Sequence, residues 1–99
     1  MILEIADIRI HPGQQAAFET ALQLGISSAI AQAQGFISAS FKRGIEAPER
    51  YIVQIEWATL EDHTVHFRAG PLFQTWRGLV GPFFAEPPKV EHFAAVTTA

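Results

Sequence analysis

Two histidines three residues apart, His63 and His66, follow closely on Trp57, and a second tryptophan, Trp76, precedes Arg77 further along. Imidazole titrates near neutral pH, so a histidine near flat aromatic rings can take a proton from an acidic phenol or enol. His66 is the first candidate for that role, one turn before the Gly70-Pro71 break. Trp57 and Trp76 can sandwich an aromatic substrate by stacking. Arg77 lies one residue off the apolar stripe that carries Trp76. If Phe83-Phe84 folds back, Arg77 sits at a cavity mouth, where a guanidinium stabilises a phenolate or enolate oxygen.

Each residue also has a plainer role. His66 can bond a backbone carbonyl and hold its helix to the sheet, the tryptophans can fill core volume, and Arg77 can be a solvated surface arginine. His63 and His66 at i, i+3 share an α-helical face, but further metal ligands would have to come from His11, His92 or a carboxylate, and nothing in the spacing requires that. No metal is expected. His92 alternates with Phe93, so one of the two points at the helices, while His11 before Pro12 is most simply exposed. Glu61-Asp62 complement a helix N-terminus better than they serve as catalytic carboxylates.

The elements that position these residues come from a 99-residue chain, enough for one domain with one core, assigned to residues 1–99. Hydrophobic residues make up 48% and charged residues 17% of it, which is apolar-heavy for a domain with so much surface. The excess calls for a subunit interface, a ligand cavity, or both. Net charge is −3 and the seven basic residues are scattered, so no nucleic-acid footprint forms. The absence of cysteine removes disulfides and thiolate chemistry. With no signal peptide or membrane-length apolar run visible, a cytoplasmic location and no membrane partner are expected. Phosphate-binding glycine loops and nucleophile-elbow serines are absent.

Alternation of β-branched and polar residues predicts a strand over 2–10. A helix over 13–33 follows, with an apolar stripe of Phe18, Leu22, Ile26, Ala29, Ile30 and Ala33, interrupted by Gly25. Strands over 36–46 and 50–57 form a hairpin around Ala47-Pro48-Glu49. Thr59, with Asp62 as capping-box partner, starts the next helix, which Gly70-Pro71 interrupts and restarts. After Gly81-Pro82 a loop rich in Pro and Phe leads to a last strand over 89–97. The order β-α-β-β-α-β is an α+β, ferredoxin-like arrangement: a four-stranded antiparallel sheet with helices on one face. Leu3 and Ile5 make the first strand apolar on the other face too, and pairing of two sheets in a homodimer would cover it.

Arg50-Tyr-Ile-Val-Gln-Ile-Glu-Trp57, Leu60-Glu-Asp-His63, His66-Phe67, Phe73 through Trp76, and Pro88-Lys-Val-Glu-His-Phe93 carry a resemblance to antibiotic biosynthesis monooxygenase (ABM) domains of the dimeric α/β-barrel superfamily. The resemblance covers nearly the whole chain. It implies a dimeric α/β barrel and, for some members, oxygenation of quinols or polyketides without a cofactor; others degrade haem or have no established reaction. A histidine at the position of His66 is common in the family. Members that degrade haem use an asparagine on the first strand, a tryptophan on the second helical segment and a histidine ligand beyond it. Asp7, Phe67 and the neighbourhood of Trp76-Arg77 stand at those places here, which disfavours haem.

The reading that follows is a homodimeric monooxygenase, with no cofactor, acting on a small aromatic, quinol or polyketide-like molecule between sheet and helices. His66 and Arg77 are the candidate catalytic residues. Tyr51, Trp57, Phe67, Phe73, Trp76, Phe84 and His92 are the candidate substrate contacts. Its rivals are a dimeric small-molecule-binding or interaction domain without catalysis, and a cofactor-free isomerase or lyase using the same base.

Overall fold

Ile2–Arg9 forms strand β1, whose inward row is Glu4, Ala6 and Ile8 and whose outward row is Leu3, Ile5 and Asp7. It is an interior strand, paired antiparallel on both edges, which is why both of its faces are largely apolar. A computed structural model of the chain describes residues 1–97. Ile10 continues the line of β1 only as an isolated bridge to Phe84.

Helix α1 spans Gln15–Ser28 and buries Phe18, Leu22 and Gly25. The expected single helix to residue 33 instead breaks at Ala29 (φ −125°, ψ −68°) and tightens into a 3₁₀ turn at Ile30–Gln32. The break turns Ile30 into the core, where it is fully buried. Gly25 has a packing reason: a Cβ there would lie 2.8 Å from Cε3 of Trp76, so the glycine lets the indole rest on the helix backbone.

Strands β2 (Phe36–Arg43) and β3 (Arg50–Trp57) pair as a hairpin, with an irregularity between Phe36 and Ser38. β2 ends three residues before the expected boundary. The chain must already turn at Gly44, whose N–H donates to Arg50 O, while Arg50 N–H donates to Ala47 O. After β3 the backbone N–H of Thr59 donates to Asp62 and that of Asp62 to Thr59 Oγ1, the expected capping box.

The helix that starts there does not stay α-helical. Asp62–Phe67 is a π-helical turn, with Arg68 N–H bonded back to His63 O. Gly70-Pro71 then starts helix α2 (Pro71–Val80), as Pro at a first helical position allows. A 3₁₀ turn, Gly81–Phe83, leads into a loop stitched to the end of β1 by His11 N–H to Phe83 O and Ala85 N–H to Arg9 O. Strand β4 is Lys89–Ala94. It stops short of the expected residue 97 because Ala94 is opposite Ile2, where β1 begins and the ladder runs out of partners.

The four-stranded sheet has the order β2-β3-β1-β4, antiparallel throughout, with α1 and α2 packed together on one face. Tyr51, Val53, Ile55 and Trp57 of β3 join the inward row of β1 in the core. The opposite face carries Leu3, Ile5, Ile52 and Phe93, with Asp7 and Arg50 joined by two hydrogen bonds of 3.0 and 2.7 Å among them. No helix among the described residues is long and apolar enough to cross a membrane.

Candidate active site

Between the sheet and α2 lies a cavity of about 550 Å³, in the size range of small-molecule sites. Its floor is Ala6 and Ile8 of β1, Val53 and Ile55 of β3 and Ile30 of the 3₁₀ turn. Phe67, Phe73, Trp76 and Phe84 supply aromatic walls, and the loop from Phe84 to Pro88 closes one side. Four of the polar side chains on the wall are Glu4, His63, Arg68 and Arg77. Phe84 is bridged to Ile10, in line with β1, and both Phe84 and Arg77 line the cavity.

Glu4 is a carboxyl on the inward row of a central strand, a costly place for a charge. Trp57 Nε1–H donates to its Oε1 at 2.9 Å, and His63 Nε2 lies 3.4 Å from the same oxygen. The His63 ring stacks on Trp57, with centroids 5.3 Å apart and planes 18° from parallel. On its other side His63 Nδ1 is 2.7 Å from His92 Nε2, a hydrogen bond whose donor depends on the tautomers. Burial pushes the Glu4 carboxyl up to about 7, against the lowering effects of the Trp57 hydrogen bond and the Arg68 charge. Burial pushes His63 down to about 4, with the charges of His92 and Arg68 adding to it. His92 is shifted down as well, by burial and by Arg68.

The result is a carboxyl that gains or loses a proton near neutral pH, in contact with an uncharged imidazole, at the edge of an apolar cavity. Between His63 Nδ1 and the half-buried His92 Nε2 either ring can donate, according to tautomer, while Glu4 lies within ion-pair distance of the other His63 nitrogen and takes its hydrogen bond from Trp57.

The structure places the expected site residues in three groups. Arg77, Phe67, Phe73, Trp76 and Phe84 line the cavity together. Trp57 and His92 sit beside it, each bonded to a polar side chain of the wall. His66 and Tyr51 lie elsewhere. His66 is exposed and faces a separate shallow hollow with Ala33, Gln34 and Leu72. Tyr51 is buried against Phe18, its hydroxyl donating to Glu19 at 2.6 Å; burial first, and then that hydrogen bond, pushes the hydroxyl up to about 12.

The π-turn explains His66. Its i→i+5 hydrogen bonding widens the turn, so His63 shares a face with Phe67 and Arg68, and His66 rotates away from the cavity. It also separates His63 from His66 as potential metal ligands: one is buried and the other exposed. Glu4 and Arg68 are not among the residues that the sequence singles out, and His63 stands there only as a possible metal ligand. One signal for Glu4 was present: it is in phase with Ala6 and Ile8 on the inward side of an alternating strand.

The profile of a family described as antibiotic biosynthesis monooxygenase matches residues 1–79. Among individual proteins, the uncharacterized YczJ of Bacillus subtilis (strain 168) is 35% identical over 96 residues, 97% of this chain and all of that one. The crystal structure of a candidate antibiotic biosynthesis monooxygenase from Bordetella bronchiseptica superposes with a TM-score of 0.91 at 42% identity, covering 97% of each chain. SnoaB, a cofactor-independent oxygenase from Streptomyces nogalater, has the same fold with a TM-score of 0.83 at 18% identity, over 98% of this chain and 94% of its own. With a family match over most of its length and relatives aligned end to end, this chain belongs to the antibiotic biosynthesis monooxygenase family.

Proposed function

We propose that the cavity oxygenates a small aromatic phenol, quinol or enol with O₂ and without a cofactor, and that Glu4, backed by His63, is the base. The observation that carries this reading is a buried carboxyl, held by Trp57 and His63, opening onto a cavity walled by Phe73, Trp76 and Arg77. SnoaB, of like fold, is a cofactor-independent oxygenase, which fits the proposal.

Glu4 removes the substrate's hydroxyl proton and holds it, since burial favours the protonated carboxyl, until it is returned to the departing oxygen. The electron-rich anion gives one electron to O₂, and the radical and superoxide join through a new C–O bond. The carbon then loses its hydrogen as a proton and the O–O bond cleaves. One oxygen atom stays as a quinone or ketone carbonyl and the other leaves as water. The substrate supplies all the electrons. Arg77 offsets the developing oxyanion, and the apolar floor keeps water from the intermediate. A homodimer formed through the outward sheet face, covering Leu3, Ile5 and Phe93, completes the proposal.

Oxygen uptake with anthrone and naphthohydroquinone, in chelator-treated protein, tests it. Glu4→Gln is expected to lower kcat by about 10²–10⁴, the usual worth of a positioned base. His66→Ala should leave the rate unchanged, because that side chain is outside the cavity. Full activity in Glu4→Gln would remove the carboxyl from the mechanism. Turnover without oxygen would instead identify an isomerase using the same base.

A further inference from the structure

We propose that the cavity selects aromatic acids: a ring held among Phe73, Trp76 and Phe84, with a carboxylate directed to Arg68 and Arg77. This rests on the reading above only in taking the cavity as the ligand site.

Arg9, Arg43 and Arg50 each lie within 4 Å of a carboxylate, at Glu86, Glu19 and Asp7 respectively. Arg68 and Arg77 form no salt bridge among the described residues, and both are on the wall of the same cavity. Arg68 is also positioned, with its guanidinium carbon 5.7 Å from the centre of the Phe73 ring. The π-turn puts it there, since it brings Arg68 and His63 to one side of the helix.

Two carboxyls share the wall with these charges. Glu86 lies 3.8 Å from Arg9. Glu4, within reach of the Arg68 charge, is only partly ionised at neutral pH because burial raises it to about 7. Two guanidinium charges therefore face at most a fractional one, and His63 is uncharged there. Floor and aromatic walls are apolar, so a ligand gains most by stacking its ring and presenting one anionic group to the two planar forks. An aromatic ring that carries a carboxylate therefore suits this cavity better than a neutral phenol.

Fluorescence titration with 6-hydroxy-2-naphthoate and with uncharged 2-naphthol, at pH 7 and low salt, tests the inference. The naphthoate is expected to bind about tenfold more tightly, an advantage that shrinks as salt is added. Arg68→Gln and Arg77→Gln should each weaken the naphthoate about three- to tenfold, as loss of one charge-assisted contact would. Both should keep the parent's far-UV circular dichroism and cooperative urea unfolding, which shows that the variants are folded. Equal affinity for the two probes, or naphthoate binding indifferent to both substitutions, overturns the acid preference and leaves the oxygenase reading in place. Failure of both probes to bind overturns both readings. A carboxylate preference without oxygen uptake from any hydroxylated acid supports the ligand class and removes the oxygenase.

Discussion

Glu4→Gln should change how the stability of this protein depends on pH, and the change can be worked from the two buried groups. Native Glu4 titrates near 7 and an unfolded glutamate near 4.5. As pH rises from 4.5 to 7 the unfolded chain loses a proton that the native chain keeps, so Glu4 costs stability with rising pH. His63 runs the other way, with a native value of about 4 against 6.5 unfolded. As pH falls from 6.5 to 4 the unfolded chain gains a proton that the native chain refuses, so His63 costs stability with falling pH. Between pH 4.5 and 6.5 the pair holds one proton in either state and contributes no slope. Glutamine keeps an oxygen for the Trp57 N–H but cannot titrate, which leaves the His63 contribution unopposed. At about 1.4 kcal/mol per pH unit, the stability of Glu4→Gln relative to the parent should climb by about 3 kcal/mol from pH 4.5 to 6.5. Urea unfolding followed by tryptophan fluorescence, at a series of pH values and one protein concentration, measures that difference, and other titrating groups cancel in it. His63→Asn should give the mirror image, with relative stability falling over the same interval. Parallel curves for Glu4→Gln and the parent would refute the reasoning, because they would mean that Glu4 titrates alike in the folded and unfolded chains.

Gly25→Ala should destabilise the protein by roughly 1 kcal/mol in thermal unfolding, although alanine favours a helix by about that much. A Cβ placed 2.8 Å from the Trp76 ring costs more by overpacking. Tyr51→Phe should lose about 1–2 kcal/mol by removing the hydrogen bond to Glu19. It should leave 2-naphthol affinity unchanged in the same fluorescence titration, since Tyr51 is not on the cavity wall. Light scattering should return twice the chain mass for the parent and one chain mass for Ile5→Lys, which puts a charge at the centre of the outward sheet face.

Strand alternation, the helical stripes and the Gly-Pro punctuation were legible because each reflects a local rule. Apolar residues repeat with the period of their element, and Gly and Pro stand where the backbone must turn. Those rules suffice for the β-α-β-β-α-β order, the Thr59–Asp62 cap and the inward row from Tyr51 to Trp57. The element ends depended on partners instead: β4 stops where β1 begins, and α1 breaks so that Ile30 can enter the core.

The choice between the two histidines lay beyond any local rule. An α-helical period puts His63 and His66 on one face, and the π-turn separates them, turning His63 and Arg68 toward Glu4 and leaving His66 to solvent. Glu4 itself is one carboxylate in a strand until the fold brings Trp57, His63 and His92 around it from three other elements. Sequence alone determined the scaffold, since periodicity is a property of neighbours along the chain. Only tertiary packing decided the site, because burial and the contacts that move a proton affinity come from residues distant in sequence.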